Sequence, residues 1–256
     1  EDDLSIKPNA FCNATTSSPV GTYDITVGGG VSSNYAFTYV KGTLTISSSA
    51  AQIAITPIGE KTYGNASFEL QATSPNKETA ITYTIENPAI ASINGSTVTI
   101  LKAGKTTITA HQAASGNYEE ASATTELVVN KALLTVTADN ASRSYGEENP
   151  ALTLSYSGFV NGENESVLTS LPTVTCEATT ESPAGSYDIV VSGGAAENYT
   201  LRYVNGTLSV LASSGELTFT AIGEKTYGDA AFDLQVSSPN TETPITFTVE
   251  DPTIAS

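Results

Sequence analysis

The chain has 256 residues, with ten basic and 27 acidic side chains giving a formal charge of −17 at pH 7. That balance repels nucleic acid and anionic lipid at short range and excludes a nucleic-acid function. Only 14 % of residues are charged, Ser and Thr supply most of the polarity, and no apolar run approaches the roughly 20 residues that cross a bilayer as a helix. This composition fits β-rich extracellular modules better than a helical cytosolic enzyme.

Residues 1–48 come first and read as the closing part of a module, because their landmarks recur further on. Pro8, Cys12, Tyr23, Asn34 and Gly42 return as Pro172, Cys176, Tyr187, Asn198 and Gly206, each 164 positions later (172 − 8). Tyr63, Pro75 and Pro88 likewise return as Tyr227, Pro239 and Pro252. An uninterrupted spacing of this kind marks tandem units. A fainter period lies inside it: the Tyr-Gly pairs at Tyr63, Tyr145 and Tyr227 are 82 apart (145 − 63), and Asn-Tyr pairs begin at Asn34, Asn117 and Asn198. The expected organisation is a partial module at 1–48, a complete module A at 49–130, a complete module B at 131–212, and the opening part of a second A at 213–256. Fragments as short as the two end pieces bury too little apolar surface to fold unaided. With no initiator Met or signal segment in view, the chain is expected to be a piece of a longer polypeptide.

Module A shows seven short alternating runs: Gln52 to Ile58, Phe68 to Thr73, Ile81 to Glu86, Ala89 to Ile93, Thr97 to Leu101, Thr106 to Ala110 and Thr124 to Val129. Seven strands of about five residues fit a β-sandwich. Asn94-Gly95 predicts a type I′ hairpin turn with both residues at positive φ. The stretch Glu86-Asn-Pro-Ala-Ile-Ala-Ser-Ile-Asn-Gly-Ser-Thr-Val-Thr-Ile-Leu-Lys-Ala-Gly-Lys-Thr-Thr-Ile-Thr-Ala110 resembles the bacterial group 2 immunoglobulin-like domains. That resemblance implies an Ig-like sandwich of the kind used as stalk units in secreted and surface proteins, with no ligand motif to carry over.

Module B offers strands at Leu133 to Thr137, Ala151 to Phe159, Thr173 to Ala178, Gly185 to Val191, Tyr199 to Val204 and Gly206 to Val210. The acidic segment Asn161 to Thr169 predicts one or two helical turns, since carboxylates favour a helix N-terminus. A short helix among the strands suits a β-grasp; a sandwich variant is the alternative. Tyr145-Gly146, Pro150-Ala-Leu-Thr, Gly158-Phe-Val-Asn-Gly-Glu, Ser182-Pro-Ala-Gly-Ser-Tyr, Asn198-Tyr and Tyr203-Val-Asn-Gly-Thr-Leu together resemble the MBG domain of the YGX type. The resemblance implies large repetitive bacterial surface proteins, and its alternation with Ig-like modules is similar to long extracellular proteins of Bacteroidetes.

Few residues invite chemistry. Cys12 and Cys176 occupy the same position in successive modules, which rules out a bridge within one module and predicts small buried hydrophobes on strands. Lone His111 reads as a solvated or capping histidine. No Gly-x-Ser-x-Gly elbow accompanies the abundant serines. Glu60 with Glu224 and Glu86 with Glu250 recur, but a hydrolytic carboxylate pair needs a cleft that an 80-residue β module lacks. Glu1-Asp2-Asp3, Glu119-Glu120, Glu147-Glu148 and Glu163 to Glu165 are weighed as Ca²⁺ sites and read as solvated charge, for want of an Asp-x-Asp-x-Asp-Gly loop. Tyrosines at repeated positions read as packing residues whose hydroxyls find backbone partners, and not as a sugar-stacking platform. Asn-x-Ser/Thr triplets such as Asn198-Tyr-Thr read as chance in so Ser/Thr-rich a chain. No catalytic, cofactor-binding or metal residues are assigned. Three functions are expected in turn: an adhesin stalk or spacer, a module binding glycan, mucin or an extracellular protein, and an accessory segment of a carbohydrate-active enzyme.

Overall fold

The computed structural model describes residues 4–240 and 243–250. Among them the one helical segment is a single 3₁₀ turn, Glu165–Val167; all other regular structure is β. The chain forms two compact units, one of residues up to 135 with 156–171 and 193–202, the other of residues 136–155 and 172–192 with those from 203 onward. The borders between these units fall inside the expected module 131–212.

Residues 54–130 of the first unit form a β-sandwich. One sheet has the order Ile81–Ile85, Gly104–Gln112, Ala121–Asn130, Lys61–Thr62, antiparallel except for the last pair, where Val129 and Asn130 run parallel to Lys61 and Thr62. The other has the order Ala91–Asn94, Thr97–Ile100, Phe68–Glu69. Alternation decides which faces meet. Along Gly104–Gln112 the buried positions are Thr106, Ile108, Ala110 and Gln112, every second residue, as a half-buried strand requires. Val98 from one sheet and Ile108 and Leu127 from the other share one core with no exposed surface. Each such side chain contributes about 1.5–3 kcal/mol by leaving water. Buried polar ends are matched in part: the Gln112 NH2 donates to Asn76 O at 2.9 Å and Thr79 O at 2.6 Å while its Oε1 is left without a partner, and Asn87 N–H donates to the Thr106 hydroxyl at 3.0 Å.

The strands fall near where alternation places them, with three differences. The run Phe68 to Thr73 is two strands of different sheets, Phe68–Glu69 beside Thr97–Ile100 and Ala72–Thr73 beside Ala54–Ile55, the latter all that forms of the run Gln52 to Ile58. The Lys61–Thr62 strand is too short to show a period. The hairpin loop also lies one residue later than expected: Asn94 pairs with Thr97, leaving Gly95 and Ser96 as the loop, and of these only Gly95 has positive φ, at 63°. This is the II′ pattern, with glycine first.

The stretch 132–211 contains a four-stranded sheet of order Ala141–Ser144, Gly206–Leu211, Gly185–Ala196, Leu168–Cys176, and a three-stranded one of order Leu154–Ser157, Ala132–Ala138, Tyr199–Val204. Of the two expected architectures the structure takes the sandwich variant, because the acidic segment supplies only the 3₁₀ turn and no helical layer. Asn164 caps that turn by accepting from Ser166 N–H at 2.9 Å.

The 164-residue repeat is exact in register. Tyr23 faces Leu44 and Ile25 faces Gly42; Tyr187 faces Leu208 and Ile189 faces Gly206. Tyr23 and Tyr187 hydroxyls donate to Pro19 O and Pro183 O at 2.7 and 2.8 Å, the backbone partners expected of them. The Tyr-Gly pairs explain themselves three times over. Gly64, Gly146 and Gly228 have φ of 90°, 88° and 97°, and the residue after each glycine closes the turn. Asn65, Glu147 and Asp229 donate their N–H to the residue three back and accept that residue's N–H on their side chains.

Both cysteines lie on strands, as expected, each at the last position, but neither is buried: Cys12 is exposed and Cys176 half-exposed, both as free thiols. Each lies on the outermost strand of its sheet, where only one neighbour covers the side chain.

Candidate functional site: the joint around Lys131

One residue, Lys131, separates the strand Ala121–Asn130 from the strand Ala132–Ala138. Val129, Ala132 and Leu134 on either side are buried, at 3 %, 4 % and 0 % exposure. Their core continues without a break into Tyr63, Ala196 and Tyr199, with Tyr156, Phe159 and Val160 packed on it. The two sequence modules therefore do not have separate cores here. The chain at the joint has no slack, and Lys131 is itself tied by its ammonium to Ala196 O at 3.0 Å.

Beside this core sits a half-buried carboxylate. Asn161 and Gly162 both have positive φ, 55° and 73°, and Glu163 N–H donates to Val160 O at 3.0 Å. This is the two-residue turn pattern that Asn-Gly favours, and it delivers Glu163 inward. The Tyr63 hydroxyl donates to Glu163 Oε1 at 2.6 Å, the Tyr199 hydroxyl donates to Oε2, and Val160 N–H donates to the Tyr199 oxygen at 3.0 Å. The rings meet edge to face, Tyr63 on Tyr199 at 5.8 Å and Phe159 on Tyr199 at 5.6 Å. Such pairs add about 0.5–1.5 kcal/mol each beyond their burial. Gly64 lies so close that a Cβ there would sit 2.6 Å from Val160 side-chain atoms.

Burial first, then the Glu163 carboxylate, raises the pKa of Tyr63 above that of an ordinary phenol, and the same causes push Tyr199 up to about 12. The folded chain thus keeps protons that the unfolded chain releases from its ordinary value of 10.0 upward. Stability from this source is complete below pH 10 and falls as pH rises toward 12. Urea midpoints measured from pH 8 upward are expected to fall through that window, and Tyr199→Phe to flatten the fall; an equally steep fall in the variant would contradict this assignment.

The backbone at the joint is stitched by an asparagine. Asn198 Oδ1 accepts from Ala103 N–H at 3.1 Å and Asn198 O accepts from Ala132 N–H at 2.9 Å. The same two bonds occur earlier in the chain, where Asn117 Oδ1 accepts from Val20 N–H at 3.0 Å and Asn117 O accepts from Ser49 N–H at 2.9 Å. Val20 and Ala103 each precede the glycine that opens a strand, Gly21–Gly28 and Gly104–Gln112. The exposed pair Lys102 with Glu197, at 3.0 Å, adds no more than about 1 kcal/mol.

Of the residues singled out in the sequence, Glu163 departs most from expectation: it is half-buried and held by two phenols instead of solvated. The Asn-Gly before it was the available signal. Tyr63 and Tyr199 pack as expected, but their hydroxyls find this carboxylate. His111 is half-buried on its strand, with Nδ1 at 3.0 Å from the Ser122 hydroxyl. Glu60, Glu86, Glu224 and Glu250 are exposed. Glu119 accepts from the Ser48 hydroxyl at 3.2 Å and Glu147 from Ser144 N–H at 2.9 Å; Glu1-Asp2-Asp3 lie outside the described residues. Among the described residues no three His, Cys, Asp or Glu side chains gather as a metal site, and no helix is long and apolar enough to cross a membrane.

A fragment of intimin, solved with the intimin-binding domain of the translocated intimin receptor, is 22 % identical over 48 % of this chain and 44 % of its own, with a TM-score of 0.25. The chain thus spans under half the length of that fragment. Drosophila N-cadherin EC1-3 is 10 % identical over 78 % of this chain and 80 % of its own, TM-score 0.25. A SusE-like surface located polysaccharide binding protein from the Bacteroides thetaiotaomicron heparin utilisation locus is 9 % identical over 82 % of this chain and 54 % of its own, TM-score 0.21. No curated protein matches the chain in sequence. The family model of the MBG domain (YGX type) matches residues 1–45 and 134–209, and the 164-residue repeat relates the first stretch to 165–209 of the second.

Proposed function

We propose that this chain is a non-enzymatic segment of a bacterial surface or secreted protein, in which MBG-type and Ig-like β modules are joined stiffly enough to act as an adhesin stalk or spacer. The observation that carries the reading is the joint at Lys131. A spacer must transmit orientation from one module to the next, and here a one-residue connection, an unbroken apolar core and a half-buried carboxylate held by two phenols leave no hinge. The MBG match to residues 1–45 and 134–209 supports the surface assignment. Backbone ¹⁵N relaxation of the whole chain tests the reading: residues 81–130 and 193–202 are expected to share one rotational correlation time, and independent tumbling would refute it. In the competing reading the modules themselves bind a glycan or an extracellular protein. Saturable binding of the full chain on a glycan or mucin panel would replace the spacer with that reading.

A further inference from the structure

A groove of about 840 Å³ in the second unit is lined by Tyr145, Gly146, Pro183, Ala184, Ala212 and Ser213, among others. Two equivalences say what it is built to hold. Shifted by 164, Val20 and Ser49 become Ala184 and Ser213; the N–H groups of Val20 and Ser49 are the two that bind Asn117. Ala184 also precedes the glycine that opens the strand Gly185–Ala196, just as Val20 and Ala103 precede theirs. Independently, the Tyr63-Gly64 turn lies against Tyr199, next to the Asn198 stitch, and Tyr145-Gly146 is the same turn one module on.

We propose that this groove is the docking surface for a further A-type module, which inserts the Ser-Gly-Asn-Tyr-Glu loop that residues 115–119 form in this chain. Its asparagine carboxamide accepts from Ala184 N–H, and its asparagine carbonyl accepts from Ser213 N–H. Both donors are backbone groups, so the changes from Val20 to Ala184 and from Ser48 to Ala212 leave the two bonds available. The contact with Glu119 that Ser48 supplies in the first joint is lost. The inference rests on the repeat geometry and not on the spacer reading, so each stands if the other fails.

The test extends the full chain after Ser256, the 164-residue counterpart of Ser92, with a copy of residues 93–130. Amide hydrogen exchange at Ala184 and Ser213 is expected to slow about tenfold or more relative to the unextended chain. The Asn117→Ala change made only in the copied segment should restore fast exchange at Ala184 while Ser213 stays protected through the backbone carbonyl, and Val20 serves as the unchanged control. An added module that folds without slowing exchange at either amide would overturn the proposal. If the added segment stays unfolded, a peptide of residues 113–121 is titrated into ¹⁵N-labelled chain at millimolar concentration. Shifts at Ala184 and Ser213 support the proposal, and their absence, or shifts elsewhere only, overturns it.

Discussion

Gly64→Ala is expected to destabilise the first unit by about 3 kcal/mol, from two sources that can be separated. A φ of 90° is outside the comfortable range of an alanine, which costs about 1–2 kcal/mol. A Cβ placed 2.6 Å from Val160 must also push that side chain into a filled core, for roughly 1–3 kcal/mol more. Gly146→Ala provides the comparison: its φ is 88°, but no atom lies within 4 Å of the Cβ position. It should show the backbone cost alone. Val160→Ala in the Gly64→Ala background is expected to recover the steric part, giving a coupling energy of about 1 kcal/mol or more in the double-mutant cycle. Urea unfolding followed by circular dichroism measures all five chains: wild type, the single variants Gly64→Ala, Gly146→Ala and Val160→Ala, and the double variant. Equal losses for Gly64→Ala and Gly146→Ala would mean that the Val160 contact carries no energy.

Glu163→Ala should cost the first unit about 2 kcal/mol, because both phenols lose their acceptor while their rings stay buried, at 6 % and 3 % exposure. A hydrogen bond to a charged group contributes about 1.5–3 kcal/mol. Two such bonds would sum higher, but Glu163 is half-exposed and water can replace part of what it supplies. Glu163→Gln keeps one acceptor oxygen and is expected to fall between wild type and alanine. A loss in Glu163→Ala no larger than about 0.5 kcal/mol, the range of an ordinary surface substitution, would show that the carboxylate is incidental to the joint.

The sequence made the β content and the repeat legible for clear reasons. Alternation survives wherever one face of a strand is buried, as along Gly104–Gln112, and a copied module keeps its landmarks at fixed distance. The Lys61–Thr62 and Ala141–Ser144 strands escaped because both pair in parallel with a partner more than sixty residues away, and neither is long enough to show a period. The helical expectation for Asn161 to Thr169 weighed acidic residues near a helix start and missed that Asn161-Gly162 is a turn. That one oversight also hid Glu163, since a carboxylate delivered by a tight turn toward tyrosines 100 and 36 positions away leaves no local pattern. The expectation of buried cysteines failed because strand membership does not say whether a strand is outermost.

The asparagine stitches draw only on main-chain amides, one from the module before and one from the start of their own, so Val20 and Ala103 differ while the coupling stays the same. A duplication that inserts another copy therefore arrives with a working connector at both ends and needs no compensating change in its neighbour. Length in such a protein can grow by recombination alone, one pre-fitted link at a time.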